Sequence, residues 1–139
     1  MSERGETGET AQSDTAALLL PPLPVVDDVL HALHALGIAV PDETEVREYL
    51  RRNADVLPVV RAASERLRAH FGPRTSLSLE LYRDPEFPTR TLTLYVRQRG
   101  DQRTLLREVR AFTDTIDDEL SAAETYLHIT TDFLPPQSL

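Results

Sequence analysis

Apolar residues recur every three or four positions from residue 25 to residue 71, and from residue 76 the spacing drops to two. The first regime predicts helices. Val26, Val29, Leu30, Leu33 and Leu36 make one apolar stripe, so a helix is expected over 25–36. Asp27 and Asp28 sit in its first turn, where the helix dipole favours negative charge, and Gly37 is its left-handed stop. A second helix is expected from "PDETEVREYLRR". Asp42 and Glu45 have capping-box spacing there, and Val46, Tyr49 and Leu50 form the inward face. A third is expected over 56–70, capped by Asp55, with Pro58 in its first turn. Leu57, Val60, Leu67 and Phe71 mark its buried side, and Gly72-Pro73 ends it.

The second regime predicts strands. In "SLSLELYRD", Leu77, Leu79 and Leu81 alternate with Ser78, Glu80 and Tyr82. In "TLTLYVRQR", Leu92, Leu94 and Val96 alternate with Thr93, Tyr95 and Arg97. Each pattern fits a strand with one dry and one wet face, and together they read as an antiparallel hairpin with a longer loop. A helix then starts at the N-cap Asp101, with Leu105, Val109 and Phe112 inward. Asp114, Asp117, Asp118 and Glu119 would crowd the negative end of one long helix. A break near Phe112, with Thr113 or Asp114 capping a second short helix, relieves that conflict. "TYLHITTDF" alternates again and predicts a third strand.

The order α-α-α-β-β-α-β makes an α+β domain: three N-terminal helices, then a small three-stranded, mainly antiparallel sheet with a helical crossover. The crossover makes strand three parallel to strand two. The preferred place for it is beside strand one, antiparallel to it; the alternative is beside strand two. Residues 25–134 form the single domain. Residues 1–24 are read as a disordered or extended tail, polar as far as residue 15 and then "LLLPPLP", and residues 135–139 as a frayed end.

Composition narrows the chemistry. The chain has 139 residues and no cysteine, which removes thiolate metal sites and a cysteine nucleophile. All 15 basic residues are arginine, so lysine Schiff-base chemistry and a phosphate-loop lysine are excluded. The arginine bias fits GC-rich coding and a bacterial source. The net charge of −8 is spread along the chain with no basic block, so a nucleic-acid partner is not expected. An acidic surface instead suits a basic protein partner. No apolar run approaches the length of a membrane span, and the acidic residues before "AALLLPPLPVV" do not resemble a secretory signal. The expectation is a cytoplasmic protein without a cofactor; a homo-oligomer is compatible with it.

Three groups of residues are candidates for a site. His31 and His34 share a helix face, but no acid completes a metal ligand set with them. Glu80, Asp84 and Glu86 gather near the hairpin loop. They could hold a hard cation for a hydrolase or nuclease, with His128 as a further candidate, or they could be an Asp-Pro turn with solvated acids, which is the expectation here. No catalytic constellation and no metal site is assigned. The wet sheet face is the third group. It carries Tyr82, Tyr95 and Tyr126 with Arg97, Glu80 and His128, a composition resembling interface cores. Those tyrosines could also stack single-stranded bases, unless a helix covers them. The candidate partner-binding residues are therefore Tyr82, Tyr95, Arg97, Tyr126, Asp84 and Glu86.

"VREYLRRNADVLPVVRAASERLRAHFGPRTSLSLELYRDPEFPTRTLTLYVR" resembles a family of small uncharacterised bacterial α/β proteins. The pieces that carry the resemblance are Tyr49-Leu50, Asp55, Phe71-Gly72, Leu79-Glu80, Asp84-Pro85-Glu86 and the run 92–96. Members of that family look like companions of HEPN-type proteins, many of them ribonuclease toxins encoded nearby. The resemblance implies an antitoxin-like protein-protein interaction module with a neighbouring toxin-like partner. The chain departs from the family pattern in lacking a Trp-Trp pair near "FTDTIDDEL" and a Gly-Lys-Leu before "TYLHI".

Overall fold

A computed structural model describes residues 24–133; the expectations for residues 1–23 and 134–139 lie outside them. The chain runs through α1 (Pro24–Ala35), β1 (Ile38–Ala39), α2 (Glu43–Arg52), a 3-10 turn (Ala54–Val56) and α3 (Leu57–Phe71). It continues as β2 (Ser76–Arg83), β3 (Arg90–Arg97), α4 (Gln102–Thr115), α5 (Asp117–Leu120) and β4 (Leu127–Thr130). Among the described residues the class is α+β, with five α-helices and a four-stranded mixed sheet in the order β1-β2-β3-β4.

The expected three-stranded, mainly antiparallel sheet is therefore corrected in two places. A two-residue strand, Ile38–Ala39, pairs parallel with Leu77 and Ser78. Two residues are too few to show an alternation, so this strand left no periodic trace. It occupies the edge of β2 that had been the preferred place for the last strand. β4 lies instead beside β3, with Leu92 opposite Leu127 and Tyr95 opposite Thr130. Its expected parallel orientation to β3 holds, because α4 and α5 carry the chain back across the sheet.

The hairpin register is regular. Leu77, Leu79 and Leu81 face Val96, Leu94 and Leu92 across the β2–β3 ladder. These side chains share one core with Leu127, Ile129 and the buried residues of all five helices, including Leu30, Leu50, Leu67, Leu105 and Leu120. The helices thus form one layer on the leucine face of the sheet.

Local chemistry differs from expectation at several caps. Gly37 ends α1 at φ +74°, as its lack of a Cβ permits. Asp42 precedes α2 without capping it, and Glu45 reaches across to Arg83 and Arg90 of the hairpin rather than back to the helix start. Two arginines on a neighbouring element outcompete a local backbone N–H for that carboxylate. Asp55 lies within the 3-10 turn and does not cap α3. It accepts from Thr125 N at 2.7 Å and Thr125 Oγ1 at 2.8 Å, pinning the entry to β4. Asp101 caps α4 as expected, accepting from Arg103 N at 3.0 Å. The helix break falls at Ile116 rather than Phe112, since burial of Ile116 at the α4–α5 junction sets the turn. Thr113 and Asp114 are therefore residues of α4, while Asp117, Asp118 and Glu119 do occupy the first turn of α5.

Candidate binding site on the tyrosine face

The face of the sheet opposite the leucines carries Ser78, Glu80 and Tyr82 from β2, and Thr93, Tyr95 and Arg97 from β3. The buried side chains of the helices belong to the core on the other side of the sheet. The face expected to be wet is dry at its centre: Ser78, Thr93 and Arg97 are buried, and Tyr95 is only 9% exposed. Its rim is open, with Tyr82 at 47% and Tyr126 at 60%.

Arg97 organises the dry centre. Its Nε donates to Asp132 Oδ1 at 3.0 Å, and its Nη2 donates to Asp132 Oδ2 at 2.6 Å. The same Nη2 reaches Glu80 Oε2 at 3.3 Å, which also accepts from Ser78 Oγ at 2.7 Å. The planar guanidinium suits this two-point grip on a carboxylate. Its central carbon lies 4.9 Å from the centre of the Tyr95 ring, adding a cation–π contact. The bond to Asp132, with the charges of Asp132 and Glu80, holds the Arg97 pKa above its ordinary value against the opposing effect of burial. Burial, reinforced by the charges of Glu80 and Asp132, raises the Tyr95 pKa, so the phenol stays protonated at neutral pH.

Beside this network lies a cleft of about 540 Å³. Tyr82, Tyr95, Tyr126, His128, Thr93 and Asp132 contribute to its walls. Tyr126 and His128 share one end, their rings 5.9 Å apart and the phenol oxygen 3.3 Å from Nδ1. Burial lowers the His128 pKa, favouring the neutral ring. Threonine hydroxyls are turned to backbone carbonyls, Thr93 to Thr91 at 3.0 Å and Thr130 to Thr131 at 3.4 Å. The cleft thus offers aromatic surface and phenol hydroxyls.

The structure gathers Tyr82, Tyr95 and Tyr126 in one cleft, with Arg97 bonded to its wall at Asp132. Asp84 and Glu86 lie elsewhere, in the hairpin loop. Asp84 Oδ1 accepts from Glu86 N at 2.8 Å, the local bond of an Asx turn. Asp84 N donates to Thr89 O at 3.5 Å across the loop. Glu80 is directed to Ser78 and Arg97, away from that loop. Among the described residues no group of three His, Asp or Glu side chains is placed to hold a metal ion. His34 bonds Glu43 at 2.9 Å. A larger hollow of about 670 Å³ lies at the ends of α1 and α3. Its Arg68 is engaged by the carbonyls of Leu36, Gly37, Gly72 and Thr75 at 2.7 to 3.2 Å, so it ties loops together. No helix among the described residues is long and apolar enough to cross a membrane.

Asp132 is the site residue that sequence reasoning did not assign. Its signal was present: it shares strand parity with Tyr126 and His128, which placed it on the face that carries Arg97. Comparison with protein-family models, curated proteins and solved structures gives no match.

Proposed function

We propose that the protein is a non-catalytic binding module whose tyrosine face docks a protein partner. The observation that carries this reading is the cleft with Tyr82 and Tyr126 open at its rim and Tyr95 held beneath Arg97. Tyrosine supplies large contact area at low entropic cost, and a preorganised support reduces what must be ordered on binding. The acidic chain favours a basic partner. The resemblance to companions of HEPN-type proteins suggests an antitoxin-like pairing with a toxin-like neighbour as the specific form.

Co-expression with each neighbouring gene product tests the proposal. A stoichiometric complex, relief of the neighbour's toxicity, and at least about tenfold weaker binding by Tyr82→Ala/Tyr126→Ala are expected. Monomer alone in every co-expression, without relief of toxicity, rejects it. The two other readings are less well supported. A metal-dependent hydrolase would need Glu80, Asp84 and Glu86 together, but Glu80 is engaged by Ser78 and Arg97 while Asp84 accepts from the Glu86 backbone N–H. A single-strand binder would use the same tyrosines, but the only cation of the network, Arg97, is already paired with carboxylates.

A further inference from the structure

We propose that the outer edge of β4 takes up an extended, arginine- or lysine-bearing peptide as a fifth strand. This rests on the binding-module reading and adds the binding mode and the chemistry of the partner segment. β4 ends the sheet: its inner side pairs with β3, and no other described strand pairs with its outer side. An edge strand presents unpaired N–H and C=O groups, a template for another strand. Leu127-His128-Ile129-Thr130 contains no proline, arginine or carboxylate to discourage pairing.

Two clefts flank that edge. Tyr126, His128 and Thr130 belong to the walls of both. One is the tyrosine cleft. The other, about 320 Å³, lies on the helix side and is also lined by Arg110, Asp114 and Asp117. Successive side chains of an added strand point to opposite faces, so they would enter the two clefts alternately.

Charge selects the occupant. Residues 113–133 contain six carboxylates and neither lysine nor arginine. Asp132 and Glu119 are paired with Arg97 and Arg66. Asp114 and Asp117 form no ion pair with a described residue. A cationic side chain on the helix side would meet Asp114 and Asp117, two carboxylates that outnumber the one guanidinium of Arg110 in that cleft, and one on the other side would meet tyrosine faces. A second copy of the chain would bring the same six carboxylates to the edge, so charge disfavours self-pairing.

The test is an NMR titration of the full chain with an acetylated, amidated octapeptide alternating arginine with threonine and valine. Two controls replace arginine by glutamate, or methylate alternate backbone nitrogens. Amide shifts centred on 126–131 are expected, with hydrogen-exchange protection inside β4. Both controls should bind at least about tenfold more weakly, and Asp114→Asn/Asp117→Asn should weaken the arginine peptide several-fold at low salt without changing the fold. Absence of binding at millimolar peptide overturns the inference. So do equal binding of the methylated peptide and shifts confined to the hairpin loop. A native partner that needs Tyr82 and Tyr126 yet leaves the β4 amides unprotected also overturns it, while leaving the binding-module reading intact.

Discussion

On one face of β2 and β3, Leu77, Leu79, Leu92 and Leu94 are covered by helices; on the other, Ser78, Thr93 and Arg97 are buried without belonging to that core. The first kind of burial is non-directional, and its stability grows with apolar area removed from water. The second depends on donors and acceptors meeting: Arg97 with Asp132 and Glu80, Ser78 with Glu80. A packed face tolerates small shape changes and fails by cavities. A bonded face fails when one partner is removed and another is left without compensation. The same two strands therefore carry one face suited to holding the fold and another suited to presenting fixed polar and aromatic groups.

The largest expected effect breaks the packed face alone. Leu94→Ala should cost about 3 kcal/mol in denaturant unfolding, because Leu94 is fully buried and the surrounding core can collapse only in part. The tyrosine cleft should keep its affinity for the proposed partner below the unfolding transition. A comparable loss of affinity in the still-folded variant would show that the two faces are not separable. Arg97→Met comes next, at about 2 kcal/mol, since it removes the two-point grip on Asp132 and the bond to Glu80 while both carboxylates are partly solvated. Asp132→Asn should cost less, because an amide oxygen can still accept from the guanidinium. If Asp132→Asn proved the more damaging of the two, the bond to Arg97 would not be what sets the stability of this face.

A pH profile separates the faces without mutating the core. Burial lowers the His128 pKa from its reference of 6.5, so the unfolded chain binds the proton more readily. The associated stability is fully present above pH 6.5 and is lost as pH falls through the lower folded value. Asp55, whose carboxyl is held low by the bonds from Thr125, acts in the same direction at more acid pH. The difference between wild type and His128→Gln isolates the histidine. It should be flat above pH 6.5 and decline below it. A difference that stays flat to pH 5 would mean that the folded ring titrates normally.

Much of this architecture was legible because periodicity reports burial. Leu77, Leu79, Leu92 and Leu94 declared the packed face, and Tyr82, Tyr95 and Tyr126 declared which residues share the other. Strand order was not legible, since Ile38–Ala39 is too short to show a period and yet decides which edge of β2 is taken. Partner choice among charges was hidden for a related reason. Glu45 and Asp55 have the local spacing of caps, but Arg83, Arg90 and Thr125, far away in sequence, bind them instead. Local rules name what a carboxylate can do at its own helix end; they carry no information about a competitor brought in by the fold. Asp132 falls between these cases: its face was readable from parity, its bond to Arg97 only from the placement of β4 beside β3.

The smallest expected stability effect bears most on function. Tyr82 and Tyr126 are 47% and 60% exposed, so replacing either by serine should change folding stability by no more than about 0.5 kcal/mol. Tyr95, 9% exposed beneath Arg97, should cost clearly more when replaced by serine, although all three residues share one cleft. That contrast is what a binding surface requires: rim tyrosines available to a partner, and a central tyrosine that fixes the floor. Unfolding curves of the three variants at one pH and salt concentration give the ranking. If Tyr82→Ser or Tyr126→Ser destabilised the protein as much as Tyr95→Ser, the rim tyrosines would be part of the fold's own packing. Their exposure would then no longer argue for a partner.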